Sequence, residues 1–206
     1  MGVLPLGVAI CFLPAGFGLL IQGLQPLPWP QRLLALALGM MLLEQAHMAR
    51  VDVQRLLAVR SRASIPRLTR FAAVLTLTIL GELAGFYLAA AGGLGWGMVI
   101  ILVSLLGFNL LANGHFEDGE FQPSGPRRRW AVIAMDGLAL GLALLWLAAV
   151  GRLVVAGVLL GVALAYGAAK IYAYATERVS LAEHPHSAVH IPHAAQQHPQ
   201  PAQQNR

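Results

Sequence analysis

The sequence has few of the features that mark soluble and secreted proteins. Charged residues make up 11% of its 206 residues, whereas about 25% is usual in soluble domains. Hydrophobic residues make up 57%, and there are 22 glycines. This balance excludes a soluble enzyme domain and predicts an integral membrane protein. The single cysteine, Cys11, excludes an intramolecular disulfide, so cysteine pairing does not indicate a redox compartment.

Motifs for catalysis and for cofactor binding are absent as well. The sequence contains no phosphate-binding glycine loop, no HExxH, no Gly-x-Ser-x-Gly, no CxxC and no c-type haem site. Haem ligation between spans ordinarily needs pairs of histidines inside the membrane, and only His47 qualifies. The sequence therefore gives little support to an enzyme and leaves any cofactor unknown.

Long apolar stretches are what the sequence does have. A hydrocarbon core of about 30 Å needs roughly 20 helical residues. Six stretches meet this need or approach it, at 3–24, from 33 onward, 71–91, 96–112, 130–150 and 153–174. The second is cleanly apolar only as far as Leu43, so it either carries polar groups into the membrane or is short. Short links predict tight hairpins between spans three and four and between spans five and six. The predicted fold class is all-α, a polytopic membrane bundle of about six transmembrane helices.

The chain is expected to divide into two parts of different character. Residues 1–176 form the transmembrane helical domain. Residues 177–206 contain five histidines, four prolines and five glutamines, with almost no bulky apolar side chains. Such a segment cannot bury enough apolar surface to offset its ordering entropy. We therefore expect a disordered cytoplasmic tail.

The basic residues predict which side of the membrane each connection faces, because Lys and Arg near span ends stay on the cytoplasmic side. The connection 50–70 holds six of them, 127–129 holds three, and the C-terminal end holds three. The opposite side holds only Arg32 and Arg152. Both termini are therefore expected in the cytoplasm, at a bacterial inner or internal membrane. Because this rule accounts for the positive charge, nucleic-acid binding is not expected.

Polar residues inside the predicted spans form the candidate functional site, an intramembrane polar network. They are Glu44, His47, Glu82, Asn109 and Asp136. An ionisable group in a bilayer is costly, so it usually faces other helices. One interpretation is that these residues hold helices together, pairing with one another, with backbone carbonyls, or with Thr76, Thr78 and Ser104. The other is a path for protons or ions, since carboxylates in a low dielectric exchange protons near neutral pH.

Metal binding is a separate hypothesis for Glu44 and His47. Their i, i+3 spacing places both on one helical face, and a Glu-x-x-His pair is half of what a di-iron carboxylate bundle uses. A complete site needs a second pair and two more carboxylates, and the spans contain no second pair. The tail offers a further weak candidate for Zn, Ni or Cu in His184, His186, His190, His193 and His198. Their irregular spacing lacks the geometry of a structural site.

Partner contacts are expected where small residues recur four positions apart, because such pairs let helices approach closely. The pairs are Gly81 with Gly85, Gly137 with Gly141, and Gly157 with Gly161. Internal packing is the main role expected for them, and the first and third pairs are also candidates for contact with other membrane subunits. The lipid bilayer is the remaining partner, and the arginine-rich connection 50–70 suits an anionic leaflet.

Two functions follow from these features. The first is an accessory or assembly subunit of a larger membrane complex, without catalysis of its own. The second is a small transporter or proton-coupled permease that uses the intramembrane carboxylates. The two are separated by the arrangement of Glu82, Asp136 and Glu44. Convergence of the three on one water-accessible cavity favours transport, whereas carboxylates that lie apart and are satisfied by their neighbours favour the accessory subunit.

Overall fold

The computed structural model describes residues 3–60, 66–117 and 120–183. Over those residues the chain forms six α-helices, a two-stranded β-hairpin and one 3-10 turn, which confirms the predicted fold class. In chain order they are α1 (Val3–Leu24), α2 (Trp29–Arg60), α3 (Pro66–Ala90), α4 (Leu94–Leu111), β1 (Gly114–Glu117), β2 (Glu120–Pro123), the turn Pro126–Arg129, α5 (Trp130–Leu147) and α6 (Arg152–Glu183).

Five of the described helices are long and apolar enough to cross a membrane. They are α1, α3, α4, α5 with the turn before it, and α6 as far as Lys170. The chain is therefore a multi-pass membrane protein. Helix α2 falls outside this group because polar and charged residues flank its apolar stretch on both sides.

Helix α2 is continuous over 32 residues. The sequence predicts a span that gives way to a connection from about Arg50, but the helix runs on to Arg60. Two features account for the difference. Ala49, Val53 and Val59 continue the buried face of the helix, and no proline or glycine interrupts residues 40–60.

Helices α3 and α4 form the hairpin that the sequence predicts. Gly92 makes the turn with a φ of +100°, a conformation that favours glycine. Along the pair, Gly85 lets α3 lie against α4, because a Cβ at Gly85 would stand 2.8 Å from the carbonyl oxygen of Gly97. The hairpin is thus held by direct backbone contact as well as by side chains.

The buried core joins α1, α2, α3 and α4. Phe12 of α1 meets Phe86 of α3 edge to face, with 6.0 Å between ring centroids, and both rings are fully buried. Leu34 and Leu42 of α2 and Met98 of α4 belong to the same apolar cluster. Four helices therefore share one packed interior.

The connection between α4 and α5 contains a β-hairpin. Strands β1 and β2 pair antiparallel, with Phe116 opposite Phe121. Both rings lie 5.3 Å from the ring of Phe71 on α3, and Phe108 of α4 lies 5.8 Å from it. The hairpin is therefore docked on the ends of α3 and α4 by an aromatic cluster.

Helices α5 and α6 are joined by a short turn, as predicted, with Ala149 and Gly151 at positive φ. Few of their side chains are buried, and α6 joins the core cluster through Val155 and Ala156 near its start. The chain divides into two compact units after Tyr166. In the second unit, α6 continues to Glu183, beyond the expected domain boundary at residue 176. The rest of the predicted tail, residues 184–206, lies outside the described residues.

Candidate functional site

Glu82 lies in the packed interior, with only 3% of its surface exposed. It sits on the buried face of α3, one turn from Thr78 and one turn from Phe86. Leu83 beside it packs on the core and Gly81 lies against Ser104 of α4. A carboxyl group at this depth is the most enclosed ionisable group among the predicted site residues.

The hydroxyl groups near Glu82 are engaged on their own helices. Thr78 donates to the Val74 carbonyl at 2.9 Å, and Ser104 donates to the Ile100 carbonyl at 2.8 Å. Thr76 does the same toward Ala72. A hydroxyl carries a single hydrogen, so none of the three has one left for a carboxylate. The hydrogens of these hydroxyls thus serve backbone carbonyls of their own helices.

Asp52 of α2 is a member of this region that sequence reasoning missed. Its carboxyl group lies within electrostatic range of Glu82 and of Arg129, before α5. Burial raises the pKa of Asp52 above its ordinary value, and the charges of Arg55 and Arg129 oppose that rise. In the sequence, Asp52 is only the lone acid in an arginine-rich connection. The continuation of α2 carries it into the bundle, and that continuation was not predicted.

Asn109 and Asp136 do come together, as a pair that links α4 to α5. The Asn109 side-chain amide donates to Asp136 Oδ2 at 2.8 Å. Asn109 is buried, with 9% of its surface exposed, and Asp136 is half-buried. The contact gives a half-buried carboxyl group a hydrogen-bond partner on the neighbouring helix.

The Asn109–Asp136 pair lies at a different level of the bundle from Glu82. Gly81 lies against Ser104, which fixes the register of α3 on α4. Asn109 follows Ser104 by five residues on α4, and Glu82 follows Gly81 by one residue on α3. Because the two helices are antiparallel, these two steps lead in opposite directions along the bundle. At 1.5 Å of rise per residue, the two are separated by about 9 Å along the helix axes. Glu82 and Asn109 therefore leave their helices at different levels of the bundle.

Glu44 and His47 are less enclosed. Glu44 is half-buried and His47 is exposed, although one helix turn places them on the same face of α2. Met41 packs on the core, whereas Met48 has 38% of its surface exposed. Over the described residues, no three His, Cys, Asp or Glu side chains cluster closely enough to hold a metal ion. The five tail histidines from His184 to His198 lie outside those residues, so metal binding there stays a prediction.

Gln22 is a second buried polar residue that the sequence did not single out. Its side-chain amide donates to the carbonyl oxygens of Ala89 and Ala90, at 2.9 and 2.7 Å. These carbonyls end α3, and the Ala89 oxygen also accepts from the Gly92 amide at 3.0 Å. Gln22 thus caps α3 from α1, and its place among apolar neighbours in α1 is the only sequence signal for it.

Arg32 and Arg152, the exceptions to the charge asymmetry, make closely similar contacts. Arg32 donates through Nε to the Gly23 carbonyl of α1, and its guanidinium lies 4.6 Å from the ring centroid of Trp29. Arg152 donates through Nε to the Trp146 carbonyl of α5, with 5.4 Å to the Trp146 ring. Each arginine thus satisfies the C-terminal carbonyl of the preceding helix and stacks on tryptophan.

The glycine pairs fall into two groups, those packed against another helix of the chain and those with open space around them. Gly81 and Gly85 pack against α4 of the same chain, which is the internal packing that is the main role expected for them. Around Gly157 and Gly161 of α6, in contrast, a Cβ would meet no described atom within 4 Å. The same holds for Gly137 and Gly141 of α5. Small-residue faces on the last two helices are open.

Compared with models of protein families, with curated proteins and with solved structures, the chain matches none.

Proposed function

We propose that this protein is an accessory or assembly subunit of a larger membrane complex. The observation that carries the proposal is the open surface of α5 and α6. In the most apolar 18-residue stretch of each helix, 17% of the residues are buried in α5 and 11% in α6, against 39% in α3 and in α4. Lipid covers apolar side chains as well as protein does, but small-residue faces favour the close approach of another helix. The surface around Gly157 and Gly161 is therefore the proposed contact with a partner helix.

The arrangement of the carboxylates supports the same function. Asp136 is paired with Asn109, and Glu82 lies about 9 Å from that pair along the helix axes. Carboxylates at separate levels with separate neighbours are what structural polar contacts produce.

The test is co-purification from the native membrane. The full chain, tagged and extracted in a mild detergent, is expected to migrate as part of a larger complex. Gly157→Ile with Gly161→Ile is expected to release it, because the added side chains hold a partner helix away. Gly7→Ile with Gly107→Ile is the matched control, since a Cβ at either position also meets no described atom within 4 Å. Migration of wild type as a free monomer, or equal release by both variants, contradicts the proposal.

A small proton-coupled transporter is the second candidate, and the deep burial of Glu82 near Asp52 favours it. The full chain is reconstituted in vesicles that contain a pH-sensitive dye, and proton flux is followed. A transporter is expected to carry protons in wild type and to lose this flux in Glu82→Gln, which keeps the size of the side chain but removes its titration. An accessory subunit is expected to show no flux in either protein.

The orientation belongs to the proposal as well. We propose that α2 crosses the membrane as a sixth span, so that both termini lie in the cytoplasm at a bacterial inner or internal membrane, because twelve of the fourteen basic residues lie on one predicted side. Reporter fusions after Arg60, Gly125 and Gln196 are expected to report cytoplasm, and one at Gly93 the far side. A far-side signal at Arg60 contradicts the orientation.

A further inference from the structure

A cavity of about 560 Å³ opens between the start of α3 and the segment that carries the β-hairpin. Its polar lining consists of Arg67 and Arg70 from α3, Asn113 from the end of α4, and Ser124 after β2, and two prolines and a glycine complete the wall. The volume lies within the range of about 300–1,000 Å³ that is usual for small-molecule sites.

The charge of the cavity is positive. Arg67 and Arg70 are three positions apart on α3, so both guanidinium groups reach the same side of the helix. Among the described residues, those that line the cavity include no carboxylate. The first turn of α3 has no acidic residue either, so nothing there offsets the positive end of the helix dipole. An anion is the ligand that suits these walls.

The neutral groups of the cavity lining position one arginine and include a hydroxyl without a protein partner among the described residues. The Ser124 backbone amide donates to the Asn113 carbonyl at 3.1 Å, which holds the two residues together. With the Asn113 amide oriented so that its oxygen faces Arg70, this oxygen accepts from Arg70 Nη1 at 3.2 Å. The Ser124 hydroxyl is buried and has no hydrogen-bond partner among the described residues. A buried donor without a partner is costly unless a ligand uses it.

The position of the cavity limits where the anion comes from. Arg70 directly precedes Phe71, which is buried in the aromatic cluster where the apolar part of α3 begins. The cavity therefore lies at the boundary between the polar end of α3 and its membrane-spanning part. A phosphate at this level is reached both from the water phase and from a lipid headgroup.

We propose that this cavity binds a phosphoryl group, carried by an anionic phospholipid headgroup or by a free phosphate compound. Arg67 and Arg70 bind the phosphoryl oxygens in charge-assisted hydrogen bonds, and the Ser124 hydroxyl donates a third. Asn113 holds Arg70 in position. The inference does not rest on the proposed function, because a phosphoryl site is compatible with a subunit and with a transporter.

Two arms of one experiment separate the sources of the phosphoryl group. In the first, the full chain in a neutral detergent is titrated with inorganic phosphate by calorimetry. In the second, native mass spectrometry counts the phosphatidylglycerol retained by the chain, relative to phosphatidylcholine, after extraction from vesicles that contain both. Binding in the first arm alone assigns free phosphate, and binding in the second alone assigns the lipid. Binding in either arm that depends on the cavity supports the proposal.

Dependence on the cavity is measured with matched variants. Arg67→Gln with Arg70→Gln is expected to weaken binding by about tenfold or more, since two hydrogen bonds to a charged group are lost. Arg60→Gln with Arg127→Gln removes the same charge from exposed positions outside the cavity lining and is expected to change binding by less than about twofold.

A second variant keeps the test decisive if the double arginine variant does not fold. Ser124→Ala removes only the buried hydroxyl and is expected to weaken binding several-fold while the melting temperature without ligand stays at least as high. The proposal is overturned by the absence of binding in both arms, by equal loss in the two arginine pairs, or by an unchanged affinity in Ser124→Ala.

Discussion

Helices α3 and α4 differ from α5 and α6 in how much of each the rest of the chain covers, although all four are similarly apolar. In α3 and α4, 39% of the residues in the apolar window are buried, and the two backbones touch at Gly85 and Gly97. In α5 and α6 the share falls to 17% and 11%, and a Cβ on their glycine faces would meet no described atom within 4 Å. The composition of a helix therefore predicts that it enters a membrane, whereas the positions of its small residues predict what it packs against.

The same comparison separates two uses of polar residues. In the α1–α4 region, Gln22 caps α3 by two hydrogen bonds, and Glu82 lies among buried apolar side chains. Between the two regions, the Asn109 side-chain amide donates to Asp136 and links α4 to α5. Polar groups thus fix the first four helices internally and tie the fifth to them.

The largest effect is expected from Phe86→Ala. Phe86 is fully buried against Phe12, so its removal leaves a cavity and lowers the free energy of unfolding by roughly 3–5 kcal/mol. Leu138→Ala on α5, where 62% of the side chain is exposed, is expected to change it by less than about 0.5 kcal/mol. Unfolding of the full chain in mixed micelles measures both. Similar losses in the two variants contradict the difference in packing between the regions.

Gly85→Ala is expected to have the next largest effect. The added Cβ would stand 2.6 Å from Ile101 and 2.8 Å from the Gly97 oxygen, so α3 and α4 must move apart. We expect a loss of about 1–3 kcal/mol in unfolding free energy. Gly161→Ala meets open space, and the isolated chain is expected to keep its stability. A clear loss in Gly161→Ala would show that α6 packs on the chain itself.

A smaller effect is expected at the link between the two regions. Asp136→Leu removes the acceptor of the Asn109 amide, and polar contacts between membrane helices are worth about 0.6 kcal/mol on average. Asp136→Asn retains an oxygen acceptor and is expected to resemble wild type. The same unfolding assay compares the two, and a larger loss in the asparagine variant would mean that the charge matters more than the hydrogen bond.

The smallest effect is expected in the pH dependence of stability. Burial raises the pKa of Asp52 above its ordinary value of 3.8. Between that value and the raised pKa, the folded chain keeps a proton that the unfolded chain has released. The free energy of unfolding should therefore fall as pH rises through this window and level off above it. Asp52→Asn is expected to remove that slope, and unfolding measured from about pH 4 to pH 7 tests it. Glu120→Gln, at an exposed position of β2, is the control.

The hairpin of α3 and α4 could be predicted because local signals agree along the whole segment. Gly92 and Gly93 mark the turn, the flanking stretches are uniformly apolar, and Gly85 sits where the helices touch. The pairing of Asn109 with Asp136 was within reach for the same reason. Each is the only strongly polar residue near its end of a predicted span, and consecutive helices lie side by side.

Features that depend on long-range packing could not be predicted. In the sequence, Phe116 and Phe121 are isolated aromatic residues in a polar segment, because their partner Phe71 is far away along the chain. The continuation of α2 through Asp52 depends on neighbours that bury Val53 and Val59. Gln22 has its role only because the end of α3 comes to lie beside α1. None of these leaves a periodic or spacing signal of its own.

The short apolar stretch of α2 gives the protein a sensitivity to bilayer thickness. From Leu33 to Leu43 this stretch covers about 16 Å of helix, roughly half of the 30 Å hydrocarbon core. Beyond it, His47 and Met48 are exposed at a depth where acyl chains would otherwise lie. Hydrophobic mismatch of this kind is relieved by local thinning of the membrane. Short-chain lipids should therefore stabilise the folded chain, and thick, ordered bilayers should disfavour it.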